Sequence, residues 1–129
     1  MHFKTKRAWS SVAIMFAWQP AVESIGPDSA CVSAAVPAGS PWFGGHFPSE
    51  PLLPGVAMLW LVEEALRVFA GKKADPPLDI VGFRRVRFRH PVRPGATLRV
   101  TVRRGKSERA FEFQVDVDGT PACSGTCTV

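Results

Sequence analysis

The residues of this chain best suited to chemistry cluster around one histidine. His46 stands in the segment WFGGHFPSEPLLPG, after Gly44 and Gly45 and before Phe47 and Pro48. Imidazole is the side chain whose proton affinity suits general-base work near neutral pH. Pro48, Pro51 and Pro54 stiffen the loop. Nine residues after the histidine, at Gly55, the composition changes to strong helix formers. A helix start carries backbone N–H groups without intrahelical partners, and these favour negative charge. A base held beside such amides suits removal of a proton next to a carbonyl, with His46 taking the proton and the amides of Gly55 and Val56 holding the oxyanion that develops. Two carboxylates, Glu63 and Glu64, follow within reach of the same helix. His90 sits between Arg89 and Pro91 at the end of a strand-like run and reads as structural. His2 is assigned no role.

These groups need a scaffold, and the chain supplies one. From Gly55 to Ala70 the sequence predicts a helix of about four turns, stopped by Gly71, Lys72 and Lys73. Its first half is apolar all round, so it must be enclosed, most economically by a curved sheet. Residues 29–36 read as one strand, and residues 80–89, 97–104, 109–118 and 120–129 as four more. Phe111, Phe113, Val115 and Val117 alternate cleanly with Glu112, Gln114, Asp116 and Asp118. Asp118-Gly119 is a tight-hairpin signal. The class expected is α+β, a single long buried helix wrapped by an antiparallel sheet.

With 129 residues, 46% of them hydrophobic and 21% charged, the chain suffices for one domain with its own core. Its three cysteines form no CxxC pair, so neither a disulfide framework nor a metal site is indicated. The net charge of +5 is concentrated, since residues 84–109 hold ten Lys and Arg against the single acid Glu108. The arginines there largely alternate with Val, Leu and Phe, which describes the outer face of strands rather than a nucleic-acid-binding arm. The N-terminal residues imitate a secretory signal imperfectly: the apolar run contains two serines and is too short to span a bilayer. Residues 1–14 are expected to be a disordered or mis-assigned extension, and residues 15–129 the domain, of a soluble protein of the cytoplasm.

At the level of motif, GHFPSEPLLPGV, at residues 45–56, resembles the GHFPxxPxxPGV signature of the 3-hydroxyacyl-acyl-carrier-protein dehydratases of fatty acid synthesis. FRHPVRPGATLRV resembles that family's later strand-turn-strand motif, and VDGTPACSGTCTV its last hairpin. The resemblance covers residues 29–129 and implies the hot-dog fold, a long helix wrapped by an antiparallel sheet. It further implies a lyase that eliminates water from a pantetheine-linked 3-hydroxyacyl thioester without metal or redox cofactor. His46 corresponds to the family base, and Gly55, with Val56 beside it, to the helix-start amide that polarises the thioester carbonyl. A homodimer is implied, because family sites form between subunits. An acidic acyl carrier protein, or coenzyme A, is the implied carrier of the substrate, and the arginine sector would meet the carrier. Neither nucleic acid nor membrane is an implied partner.

One departure stands against this likeness. The family places its catalytic acid fourteen residues after the histidine, and here that residue is Trp60. Tryptophan cannot protonate a leaving hydroxyl. Trp60 reads as core filler or as a tunnel wall suited to a flat, conjugated acyl chain. The substitute acid expected is Glu64, one helical turn further on and about 6 Å along the axis. The missing opening strand of the family points to the shorter dehydratase-like proteins of aryl-polyene and other secondary-lipid pathways. Two other activities stay open on this scaffold: an acyl-thioester hydrolase, and a non-catalytic acyl or carrier binder that serves as partner to an active dehydratase.

Overall fold

The computed structural model describes residues 20–36, 55–71 and 79–129. Six strands and one helix follow in the order β1 (Ala21–Ile25), β2 (Ser29–Ala35), α1 (Gly55–Ala70), β3 (Gly82–Phe88), β4 (Thr97–Arg104), β5 (Ala110–Val117) and β6 (Thr120–Thr128). They make one sheet in the order β1-β2-β4-β5-β6-β3, and every neighbouring pair is antiparallel. The hot-dog arrangement expected from the sequence is therefore the observed one. The periodicity of two explains the layer structure. Leu98, Val100 and Val102 of β4 are buried between exposed Thr97, Arg99, Thr101 and Arg103. They pair with Ala34, Val32 and Ala30 of β2 on one side and with Val117, Val115 and Phe113 of β5 on the other. The inward row so formed receives α1, whose Leu61, Val62, Ala65 and Leu66 are fully buried. Phe69 meets Phe111 edge to face at 5.5 Å.

Helix and hairpin ends follow from local chemistry. Gly71 takes φ +76° and donates its N–H to the carbonyl of Arg67, the left-handed stop that only glycine adopts at low cost. Asp118 and Gly119 take φ 48° and 86° between the paired Val117 and Thr120, the two-residue turn whose twist matches the strands it joins. Asp118 also accepts the N–H of Thr97 through Oδ1 at 3.0 Å, tying the turn to β4.

The sequence reading counted five strands, and β1 is the correction. All five of its residues are exposed, with Val22 at 52% and Ile25 at 58%, so no inward periodicity marks it. It holds its place by pairing with β2 through a shifted register, and Glu23 meets Arg99 of β4 at 2.7 Å. β3 runs 82–88 instead of 80–89. Its ladder with β6 slips between Arg84 and Arg87, where Arg85 has φ 56°. Opposite the slip lies Gly125, where a Cβ would fall 2.8 Å from the Phe113 ring and 3.1 Å from the Val86 backbone, so the strands close over the ring only because position 125 has no side chain.

The arginines divide into two sets. Arg99, Arg103 and Arg104 are engaged by Glu23, Glu112 and Asp28. Arg84, Arg85, Arg87 and Arg89, on and just after the edge strand β3, are exposed and make no ion pair among the described residues. Cys123 and Cys127 share the inward face of β6, as their spacing predicts, and burial pushes their thiols up to about 11 and about 12. Cys31 lies on the outer face, buried under Arg99 and Thr101. Among the described residues no helix is long and apolar enough to cross a membrane. Residues 1–14 and His46 lie outside the described residues.

Candidate active site

Two groups of side chains gather on α1, one at each end. At the start, Gly55 and Val56 open the helix, Val56 being partly buried against the core. Gly55 faces the tip of the Phe88 ring so closely that a Cβ there would lie 2.6 Å from Cζ and 2.8 Å from Cε1. Before this helix start is a cavity of about 400 Å³, lined by Gly55, Met58, Phe88, Arg89, His90, Pro91 and Val92. The helix amides and the Arg89 guanidinium both bring positive potential to it. His90 is exposed, and its Nδ1–H donates to the carbonyl of Pro91 at 2.8 Å, which fixes the ring's orientation at the rim.

Further along, Arg67 gathers Glu63 and Glu64. Its Nη2 meets Oε1 of Glu63 at 3.1 Å and its Nη1 meets Oε1 of Glu64 at 3.0 Å, the i,i+4 and i,i+3 spacings of one helix face. Neither acid is a solvated surface carboxylate. Glu63 is 6% exposed, and its Oε2 is buried with no hydrogen-bond partner among the described residues. Burial holds its carboxyl above the usual 4.5; Arg67 opposes the shift, while Glu64 and Asp79 add to it. Glu64 is raised as well, by burial opposed by Arg67. The sequence named Glu64 and gave Glu63 no role; an apolar neighbourhood on both sides of the pair was the only available signal of its burial.

The sign of the pH dependence follows. Both carboxyls have folded values above their ordinary one, so the fold favours their neutral forms. Their contribution to stability is complete below pH 4.5 and is lost as the pH rises through the raised values. Glu63→Gln removes the Glu63 part of this loss. Thermal melts at pH 4.5 and pH 7.5 are expected to show the variant gaining on the wild type at the higher pH. An equal offset at both would mean that Glu63 carries no linked proton.

Trp60 lies between the two groups, 3% exposed and part of the core. Gly55 lines the cavity, its neighbour Val56 packs against the core, and Glu64 is not among the lining residues. At 1.5 Å per residue the carboxylates lie about 12 to 14 Å along the axis from Gly55. Three residues at the cavity escaped the sequence reading, namely Met58, Val92 and Phe88, the last with a half-exposed ring. A phenylalanine closing an arginine-rich strand carried no signal of its approach to Gly55.

Comparison with known proteins agrees with the architecture. A family model described as ApeI-like, ApeI dehydratase, matches residues 22–126. A 3-hydroxyacyl-[acyl-carrier-protein] dehydratase FabZ of Halorhodospira halophila is 39% identical over 100 residues, 69% of this chain; the match spans 65% of that relative's length. Among solved structures, the dehydratase heterocomplex ApeI:P from Xenorhabdus doucetiae superposes with a TM-score of 0.70 at 26% identity, covering 85% of this chain and 96% of that one. The PaaI protein of E. coli, from the phenylacetic acid degradation operon, shares the fold alone, at 16% identity and a TM-score of 0.63 over 95% of this chain and 91% of its own. Among the described residues, one helix wrapped by this sheet order, with a cavity at the helix start, defines the chain as a hot-dog protein. It belongs to the ApeI-like dehydratase family.

Proposed function

We propose that the chain is a dehydratase of 3-hydroxyacyl thioesters, eliminating water to give the 2-enoyl thioester. The observation that supports this reading is the cavity at the start of α1, lined by Gly55, a residue nine positions after the only histidine of the proline-rich segment. His46 takes the proton from the carbon next to the carbonyl. The N–H groups of Gly55 and Val56 stabilise the enolate oxygen. A helix carboxylate, Glu64 by the sequence reading, gives its proton to the departing hydroxyl, and solvent returns the proton from His46. The atoms then balance as enoyl thioester plus water, with no metal or redox cofactor required.

The spacing on α1 bears on assembly. A thioester oxygen and the 3-hydroxyl of one substrate lie only a few ångströms apart, whereas the amides and the acids of one helix are separated by about 12 to 14 Å. One helix therefore cannot serve both ends of one substrate. The acid of a second copy, in a homodimer, meets the requirement. Arg89 lines the cavity, and it and the exposed Arg84, Arg85 and Arg87 of the adjoining edge strand, which make no ion pair among the described residues, suit an acidic acyl carrier protein delivering a pantetheine-linked chain. Residues 15–129 are proposed as a single hot-dog domain, working in the cytoplasm.

A second reading has a specific observation behind it. Trp60 fills the position of the family acid and is buried in the core, which favours a non-catalytic acyl-binding subunit paired with an active one. The Xenorhabdus doucetiae relative is itself described as a heterocomplex. The hydrolase alternative has only fold-level likeness in its favour.

The two readings separate in one assay. Purified protein is given 3-hydroxyacyl and 2-enoyl thioesters of N-acetylcysteamine and of a carrier protein, and products are read by mass spectrometry. Interconversion supports the dehydratase. Glu64→Gln is then expected to slow it by about a hundredfold or more, the scale of a lost general acid. An unchanged rate would remove Glu64 from the mechanism, and no turnover together with retained acyl-carrier binding would favour the partner subunit.

A further inference from the structure

We infer that Glu63 is a positioning residue for the acid of the elimination: anchored in the protein interior, it holds Arg67, and Arg67 in turn holds the carboxyl of Glu64. The inference rests on the dehydratase reading, with Glu64 as the acid, and adds to it the device that aims the proton. Three observations carry it. The side chains of Glu63, Glu64 and Arg67 are 8%, 25% and 45% exposed, so constraint runs outward from the first to the other two. A buried side chain has already given up its rotamer freedom, whereas a long exposed one keeps it unless something holds it. The contacts also form a single fork. Nη2 of Arg67 donates to Oε1 of Glu63 at 3.1 Å and Nη1 to Oε1 of Glu64 at 3.0 Å, and in a planar guanidinium fixing one nitrogen fixes the direction of the other. The clamp engages Oε1 of Glu64 and leaves Oε2 to carry the proton.

Glu63 is, thirdly, a poor choice for stability. Its Oε2 is buried without a hydrogen-bond partner among the described residues, and burial holds the carboxyl above its ordinary value, so an apolar residue of similar size would suit the packing better. A salt bridge on the surface of α1 needs only Glu64 and Arg67. A buried carboxyl that costs stability and grips the arginine that grips the acid is explained by precision at the acid.

The test sets turnover of the 3-hydroxybutanoyl N-acetylcysteamine thioester against thermal stability. Glu63→Leu fills the same space without a polar atom, and at pH 7.5 its melting temperature should equal or exceed that of the wild type. Its kcat should nevertheless fall about tenfold with KM unchanged, because a misplaced acid is felt in the transition state rather than in binding. Glu63→Gln keeps a carbonyl oxygen for Nη2 and should retain kcat within about twofold. Arg67→Lys replaces the fork by a point charge and should lose as much as Glu63→Leu. In the Glu64→Gln background Glu63→Leu should cost nothing more, since its effect passes through Glu64.

A Glu63→Leu variant as fast as the wild type would overturn the proposal, as would a Glu63→Gln variant that fails equally. So would an equal further loss in the Glu64→Gln background, or a fall in kcat that only accompanies a fall in melting temperature. The wild-type rate separates the proposal from the reading it rests on. A wild type without turnover overturns the dehydratase and removes the acid that Glu63 would position, whereas an active wild type indifferent to Glu63 overturns the positioning alone.

Discussion

His46→Ala is expected to abolish measurable dehydration, a fall of about a hundred- to ten-thousandfold in kcat with dimerisation and thermal stability unchanged. General-base catalysis is worth that much when the base is held in place, and the loop around His46 has the composition for holding it. Pro48, Pro51 and Pro54 restrict the backbone on one side, and Gly44 and Gly45 allow it to turn sharply on the other. The effect should lie in kcat rather than KM, because the imidazole acts in the transition state and contributes little to holding the acyl chain. Hydration of a 2-enoyl thioester, followed by loss of its ultraviolet absorbance, reads the same loss in reverse. A variant retaining a tenth or more of the wild-type rate would mean that another group removes the proton. The mechanism would then have to be rebuilt around the cavity at Gly55 alone.

Trp60→Glu is the substitution that restores the family's acid, and its expected outcome is loss of the fold rather than gain of activity. Trp60 is 3% exposed and packed within the core. Replacing a buried tryptophan by a smaller side chain costs about 3–5 kcal/mol. A carboxyl in its place adds the cost of burying a polar group beside the Glu63, Glu64 and Arg67 cluster. That sum is a large fraction of the stability of a domain of this size. Urea unfolding should show a midpoint well below that of the wild type, or a protein too unstable to purify. A folded Trp60→Glu variant with enhanced turnover would show instead that the indole lies on the substrate's path.

The two substitutions differ in what the sequence made legible. The bounds of α1 could be read to the residue, because three prolines precede it, Gly71 supplies the left-handed stop and the interior is unbroken helix former. β4 and β5 were legible for the same kind of reason, namely one-sided burial written as strict alternation. β1 was not, since an edge strand exposed along its whole length has no alternation to display. The burial of Glu63 and the approach of Phe88 to Gly55 were hidden for another reason. Both depend on which element lies across a gap, and no local pattern encodes a contact between a helix start and the end of a later strand. The slip at Arg85 belongs to the same group: its cause is the room left by Gly125 on a neighbouring strand.

Cys123 and Cys127 have a consequence for how this protein behaves in the hand. Thiols held near 11 and 12 are almost wholly protonated at physiological pH, and only the thiolate attacks an electrophile or a peroxide. In the folded chain these two sulfurs are steric fill, inert to alkylating reagents. Their sudden reactivity would make them an internal reporter of unfolding.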